Sequence, residues 1–113
     1  MSTHHFMVLS DPVAGQDAAY NDWYDNRHLA DVLKVDGFVS AQRFRLSHQT
    51  PPAGIPASGY LAIYEIETDD VDATLAALMA RLGTEVMPVT PAIDTQRLNM
   101  FVATALAPVK RRA

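Results

Sequence analysis

His28, Tyr24 and Asn21 stand four and three residues apart within the run from Asp17 to Phe38, DAAYNDWYDNRHLADVLKVDGF. At about 100° per residue, Tyr24 and His28 fall about 40° apart on one side of a helix, near the stripe that carries Val32 and Val35. A neutral imidazole, with an unperturbed pKa of about 6.5, can take and return a proton near pH 7. A phenol one turn before it can donate to a developing oxyanion or orient the ring. Tyr64 and Arg43, on later strands, add a second phenol and a fixed cation suited to an enolate or a carboxylate. His28, Tyr24 and Tyr64 are thus the catalytic candidates, and Arg43, Asn21 and Trp23 the substrate-binding ones. Trp23 lies about 100° from Tyr24, so the two rings are not expected to face the same pocket floor, and Trp23 is expected to pack at the subunit boundary.

Each of these residues also has a purely structural use. His28 can lock the helix to a sheet through a backbone carbonyl, and Tyr24 can fill the helix–sheet seam. Arg43 can pair with Glu65 or Glu67 across strands, and Asn21 can bond inward like a cap.

Other chemistries are poorly served. Cysteine is absent, which removes disulfides, thiolate nucleophiles and cysteine-ligated zinc. His4 and His5 are adjacent on a strand and point to opposite faces. Asp25-x-x-His28 and His28-x-x-Asp31 lack a third ligand, so no metal site and no cofactor are expected. Phosphate-binding glycine loops and nucleophile elbows are also missing. The net charge of −4 and the lack of any evident basic face apart from Lys110-Arg111-Arg112 argue against nucleic acid. The start, MSTHHFMVLS, lacks the pattern of a signal peptide, and no apolar run approaches the roughly 20 residues of a membrane span. No membrane partner and a cytoplasmic address follow as expectations.

The elements that must position these side chains can be read in order. His4 to Ser10 is a short buried strand, Asp17 to Phe38 the central helix closed by Asp36-Gly37, and Phe38 to His48 a second strand. In that strand Phe38, Ser40, Gln42, Phe44, Leu46 and His48 are expected on one side, and Val39, Ala41, Arg43 and Arg45 on the other. The run QTPPAGIPAS is a loop. Tyr60 to Glu67 is a third strand with Tyr60, Ala62, Tyr64 and Ile66 on one face. About Asp70 to Leu82 is a helix closed by Gly83, Thr84 to Thr95 is irregular, and Leu98 to Ala107 is the last strand. Residues 1–113 form one domain, since apolar residues at 49% and charged residues at 19% are globular proportions.

Strand, helix, strand, strand, helix, strand is the ferredoxin-like βαββαβ order, an α+β fold with a four-stranded antiparallel sheet. Its two helices cover one face of the sheet. The first and last strands are apolar on both faces, so a second copy is expected over the other face, giving a homodimer.

The run from Tyr20 to Phe38, YNDWYDNRHLADVLKVDGF, with AQRFR at Ala41 and YLAIYEI at Tyr60, resembles the EthD-like branch of the dimeric α/β-barrel superfamily. Ala30 stands where relatives commonly carry proline, and a more regular helix is expected there. The resemblance implies a homodimer with a pocket between helix and sheet in each subunit. It spans reactions from polyketide cyclisation to haem degradation. The reading that follows is a cofactor-free lyase, isomerase or cyclase in which His28 moves a proton on a modest apolar or aromatic small-molecule substrate bearing oxygen. Its rivals are a non-catalytic metabolite-binding protein and a haem-linked monooxygenase with His28 as axial ligand.

Overall fold

A computed structural model describes all 113 residues. The strands are β1 (Ser2–Ser10), β2 (Phe38–Arg45), β3 (Tyr60–Thr68) and β4 (Asn99–Thr104). They form one antiparallel sheet in the order β2-β3-β1-β4. Helices α1 (Asp17–Trp23) and α2 (Leu29–Val32), joined by a π turn over Tyr24–His28, connect β1 to β2; α3 (Val71–Arg81) connects β3 to β4. This is the ferredoxin-like α+β fold read from the sequence.

The core lies between the helices and one face of the sheet. Phe6, Val8, Ala62, Tyr64 and Ile66 supply the sheet side, and Tyr20, Tyr24, Val32, Val35 and Leu78 the helical side. The grouping of Ala62, Tyr64 and Ile66 on one face of β3, read from alternation, holds because the register with β1 runs unbroken from Ser2↔Thr68 to Ser10↔Tyr60.

Strand β2 departs from strict alternation. A bulge between Phe38 and Ser40 shifts the register, so Phe38 pairs with Ile66 while Ala41 and Arg43 pair with Tyr64 and Ala62. Phe38 is therefore buried on the helical face together with Ala41 and Arg43, and not on the opposite side with Ser40, Gln42 and Phe44. The strand also ends at Arg45, short of His48.

The central helix is shorter and less regular than expected. It leaves helical geometry after Val32 and closes through Gly37, whose φ of +96° suits glycine. A Cβ at that position would also lie 3.1 Å from Thr74 Cγ2. Gly37→Ala is accordingly expected to lower folding stability by about 2 kcal/mol, read by urea unfolding, because backbone strain and the Thr74 contact add. At the second helix, Asp70 accepts a hydrogen bond from the Ala73 amide at 3.1 Å, as an N-cap should. No helix is long and apolar enough to cross a membrane.

Candidate functional site

A cavity of about 180 Å³ opens between the two layers. Its floor is Phe6, Val8, Tyr64 and Met100 of the sheet. Trp23, Tyr24, His28 and Val32 form one wall, Leu78 of α3 and Leu82 just past its end another, and Val89, Ile93 and Leu98 the remaining side. No charged side chain lines it. Leu82, Val89 and Met100 are each more than a third exposed, so the cavity is open on their side.

The π turn explains why three rings of one helix meet here. The Leu29 amide donates to the Tyr24 carbonyl, five residues back, which adds one residue to the turn. Residues five apart then come into line, and the Trp23 and His28 rings stack with centroids 4.2 Å apart and planes 18° from parallel. Tyr24 meets His28 edge-on at 5.5 Å. Trp23 thus shares the pocket with Tyr24 and His28, where a regular 3.6-residue turn would have directed it elsewhere. Its indole N–H donates to the Pro88 carbonyl at 3.0 Å, which ties the stack to the segment before β4. At Ala30 the helix is regular, as expected; the irregularity falls just before it.

His28 is 7% exposed, and burial pushes its pKa down to about 4 against the opposing pull of Asp31. The imidazole is neutral at pH 7. Its Nδ1 is buried with no hydrogen-bond partner in the protein, and Tyr64 Oη is in the same condition. Burial raises Tyr64 well above the ordinary phenol range and raises Tyr24 as well, so both remain protonated at neutral pH.

Arg43 and Asn21 lie outside the cavity wall. The Arg43 guanidinium donates to Asp25 and Asn21, each at 2.8 Å, and sits 4.5 Å from the Tyr24 ring centre. Tyr20 and Tyr60 flank the same cation at 5.4 Å. Arg43 therefore braces α1 against the sheet from behind the pocket wall, using helix partners and not Glu65 or Glu67. Asn21 also donates to the Asp17 carbonyl within its own helix.

Two features escaped the sequence reading. Asp31 is a buried carboxylate, 4% exposed, which accepts from Arg27 Nε at 2.7 Å; the i, i+4 spacing of Arg27 and Asp31 is the signal that carries it. The side wall from Val89 to Leu98 comes from a segment with no period to read.

No family model and no curated protein matches the chain. Solved structures do. The haem degrader MhuD of Mycobacterium tuberculosis, with two haems bound in its active site, superposes with a TM-score of 0.61 at 16% identity, over 95% of this chain and 99% of that one. An EthD-family protein from Bacillus halodurans superposes with a TM-score of 0.52 at 15% identity, over 94% and 100% of the two chains. These likenesses show that the chain shares the fold of these two proteins. They also correct the expectation of a cofactor-free lyase, isomerase or cyclase, since the structure with the higher score is that of a protein holding haem. The His28 pKa agrees with the correction: a base of pKa about 4 is poorly matched to proton abstraction at pH 7.

Proposed function

On this scaffold, we propose that the protein binds haem in the cavity between its layers, where His28 would hold the iron, and serves haem-linked oxygen chemistry. The observation that carries the reading is a neutral imidazole, with an unpartnered Nδ1, set in the wall of an apolar cavity. An iron ligand must offer a lone pair, and burial keeps His28 in the form that has one. The stacked Trp23 and the edge of Tyr24 hold the ring against rotation. The haems of MhuD give the ligand class its support.

The residues present fit such a group at its iron and at its apolar edge. With no charged side chain on its wall, the cavity would leave the two carboxylates of a haem outside, in water. Bound haem would supply the redox and oxygen chemistry. The chain's own part is to hold the iron through His28, to exclude water with Phe6, Val8, Val32 and Leu78, and to keep Tyr24 and Tyr64 protonated nearby. Titration of the purified protein with ferric haem is expected to give a saturable Soret band with one equivalent per chain. A featureless, unsaturable increase in absorbance would refute the reading.

The same reading includes a second copy. The sheet face away from the helices presents Met7, Leu9, Leu61 and Ile63, with Phe44 37% exposed and Phe101 40% exposed. Nothing in the chain covers this row of apolar side chains. Phe101→Asp, which sets a charge on the edge strand β4 of that face, is expected to convert a dimer into monomers in light scattering at micromolar concentration. A wild-type chain that runs as a monomer would remove the second copy from the proposal.

A further inference from the structure

One run of rings leads out of the cavity wall to water. The chain holds one tryptophan and four tyrosines, and four of these five rings form a single line of contacts. Trp23, stacked on His28 in the wall, meets Tyr24 with ring centroids 4.7 Å apart. Tyr24 meets Tyr20 at 5.2 Å, and Tyr20 meets Tyr60 at 5.2 Å. Neither Tyr20 nor Tyr60 lines the cavity. Tyr20 is fully buried, while Tyr60, at the start of β3, is half-buried and keeps part of its surface in water. The line therefore runs from the ligand wall, through the core, to solvent outside the cavity.

Packing alone does not call for these ring types. Elsewhere in the same core the space is filled by Phe6 and Phe38, which carry no hydroxyl to satisfy. At position 20 the chain instead buries a phenol and supplies the buried Ser10 hydroxyl as its hydrogen-bond partner. Indole and phenol differ from a phenyl ring in one chemical respect that matters here: each gives up a single electron to oxidants that leave phenylalanine untouched.

Arg43 sets the direction. Its guanidinium lies 4.5 Å from the Tyr24 ring centre and 5.4 Å from those of Tyr20 and Tyr60. A fixed cation opposes a positive charge left on any of these rings, so an electron leaves a phenol only together with its proton. Tyr20 and Tyr24 are closed off from water that could take the proton, and Tyr60 is not. An electron deficit entering at Trp23 therefore passes the two buried phenols and comes to rest on Tyr60.

We propose that Trp23, Tyr24, Tyr20 and Tyr60 form a path for single electrons that carries oxidising equivalents from the cavity to the protein surface. The proposal rests on the haem reading for the source of those equivalents, hydrogen peroxide reduced in the cavity, and not for the route. Each passage oxidises one Tyr60 phenol to a phenoxyl radical: its electron moves inward along the rings and its proton goes to water. Two such electrons, with two protons from water, reduce one hydrogen peroxide to two waters. A soluble phenol that gives its hydroxyl hydrogen atom to the radical restores Tyr60.

The test is pulse radiolysis of the haem-free protein at neutral pH, with azide radical as the oxidant. Azide radical takes an electron from indole much faster than from a protonated phenol, and Trp23 is the single indole and half-exposed. In the wild type the indolyl absorbance is expected to decay as phenoxyl absorbance rises, at a rate independent of protein concentration. The indolyl radical recovers its electron through the rings and its proton from water. Spin trapping followed by mass spectrometry is expected to place the adduct on Tyr60. Tyr60→Phe and Tyr20→Phe are each expected to lose the phenoxyl rise and leave the indolyl radical long-lived.

A phenoxyl rise at the wild-type rate in either variant, a wild-type rate that scales with protein concentration, or an adduct confined to the buried tyrosines overturns the proposal. The last two are read on the wild type and stand even where a variant folds poorly. Because no haem is present, the two readings fail separately. A protein that takes up no haem yet passes the deficit from Trp23 to Tyr60 loses the haem reading alone. One that binds haem but leaves the indolyl radical stranded loses this one alone.

Discussion

His28→Ala is expected to lower ferric haem affinity by at least about 100-fold, roughly 3 kcal/mol, and to shift the Soret band of whatever haem remains bound. The apolar walls survive the substitution, so weak hydrophobic uptake persists while the iron loses its protein ligand. Added imidazole is expected to restore the wild-type spectrum, because the space vacated by the ring is bounded by the Trp23 face and the Tyr24 edge that stacked against it. Trp23 is held by its bond to Pro88 and does not depend on His28 to stay in place. Rescue by imidazole separates loss of a ligand from loss of a fold. An unshifted Soret band in His28→Ala at unchanged affinity would show that another group meets the iron. The pH dependence carries the same information. A histidine with a pKa near 6.5 would release iron as the pH falls below neutrality, whereas one held at about 4 keeps its lone pair to about pH 5.

Much of this site can be read from residue types and periods, and the limits have physical causes. Alternation groups Tyr64 with Ala62 and Ile66 on one face of β3, and the structure keeps that grouping because the strand is uninterrupted, but which face meets the helices is settled only by tertiary packing. In β2 one extra residue at the bulge moved Phe38 across the sheet, and no residue type in FVS announces it. The shared face of Tyr24 and His28 follows from their spacing. Trp23 joins them only because the turn from Tyr24 to His28 is wound as π, a local choice settled by packing against the sheet and by the Pro88 carbonyl. The wall from Val89 to Leu98 has no repeat at all, since side chains on irregular backbone are aimed by tertiary contacts. Arg43 shows the opposite limit. Its type suggested a substrate clamp, but a ring of tyrosines and the acceptors Asn21 and Asp25 already occupy it.

The buried imidazole also links stability to pH, with a definite sign. In the unfolded chain His28 takes a proton near pH 6.5, while in the folded protein it does so only near pH 4. Between those values the unfolded state binds the extra proton, so stability falls as the pH is lowered through that window and is fully retained above it. The difference corresponds to at most about 3 kcal/mol once both limits are passed. Asp31 attracts the proton but does not reverse the shift, because Arg27 already neutralises that carboxylate at 2.7 Å. Urea unfolding at pH 7, 6, 5 and 4.5 is therefore expected to show a steeper loss for the wild type than for His28→Phe, whose ring can stack on Trp23 without titrating. Other acid-sensitive groups are common to both proteins and cancel in the comparison. Parallel profiles would mean that the His28 ring is solvated in solution, and a solvated ring has neither the low pKa nor the enclosed lone pair on which iron ligation depends.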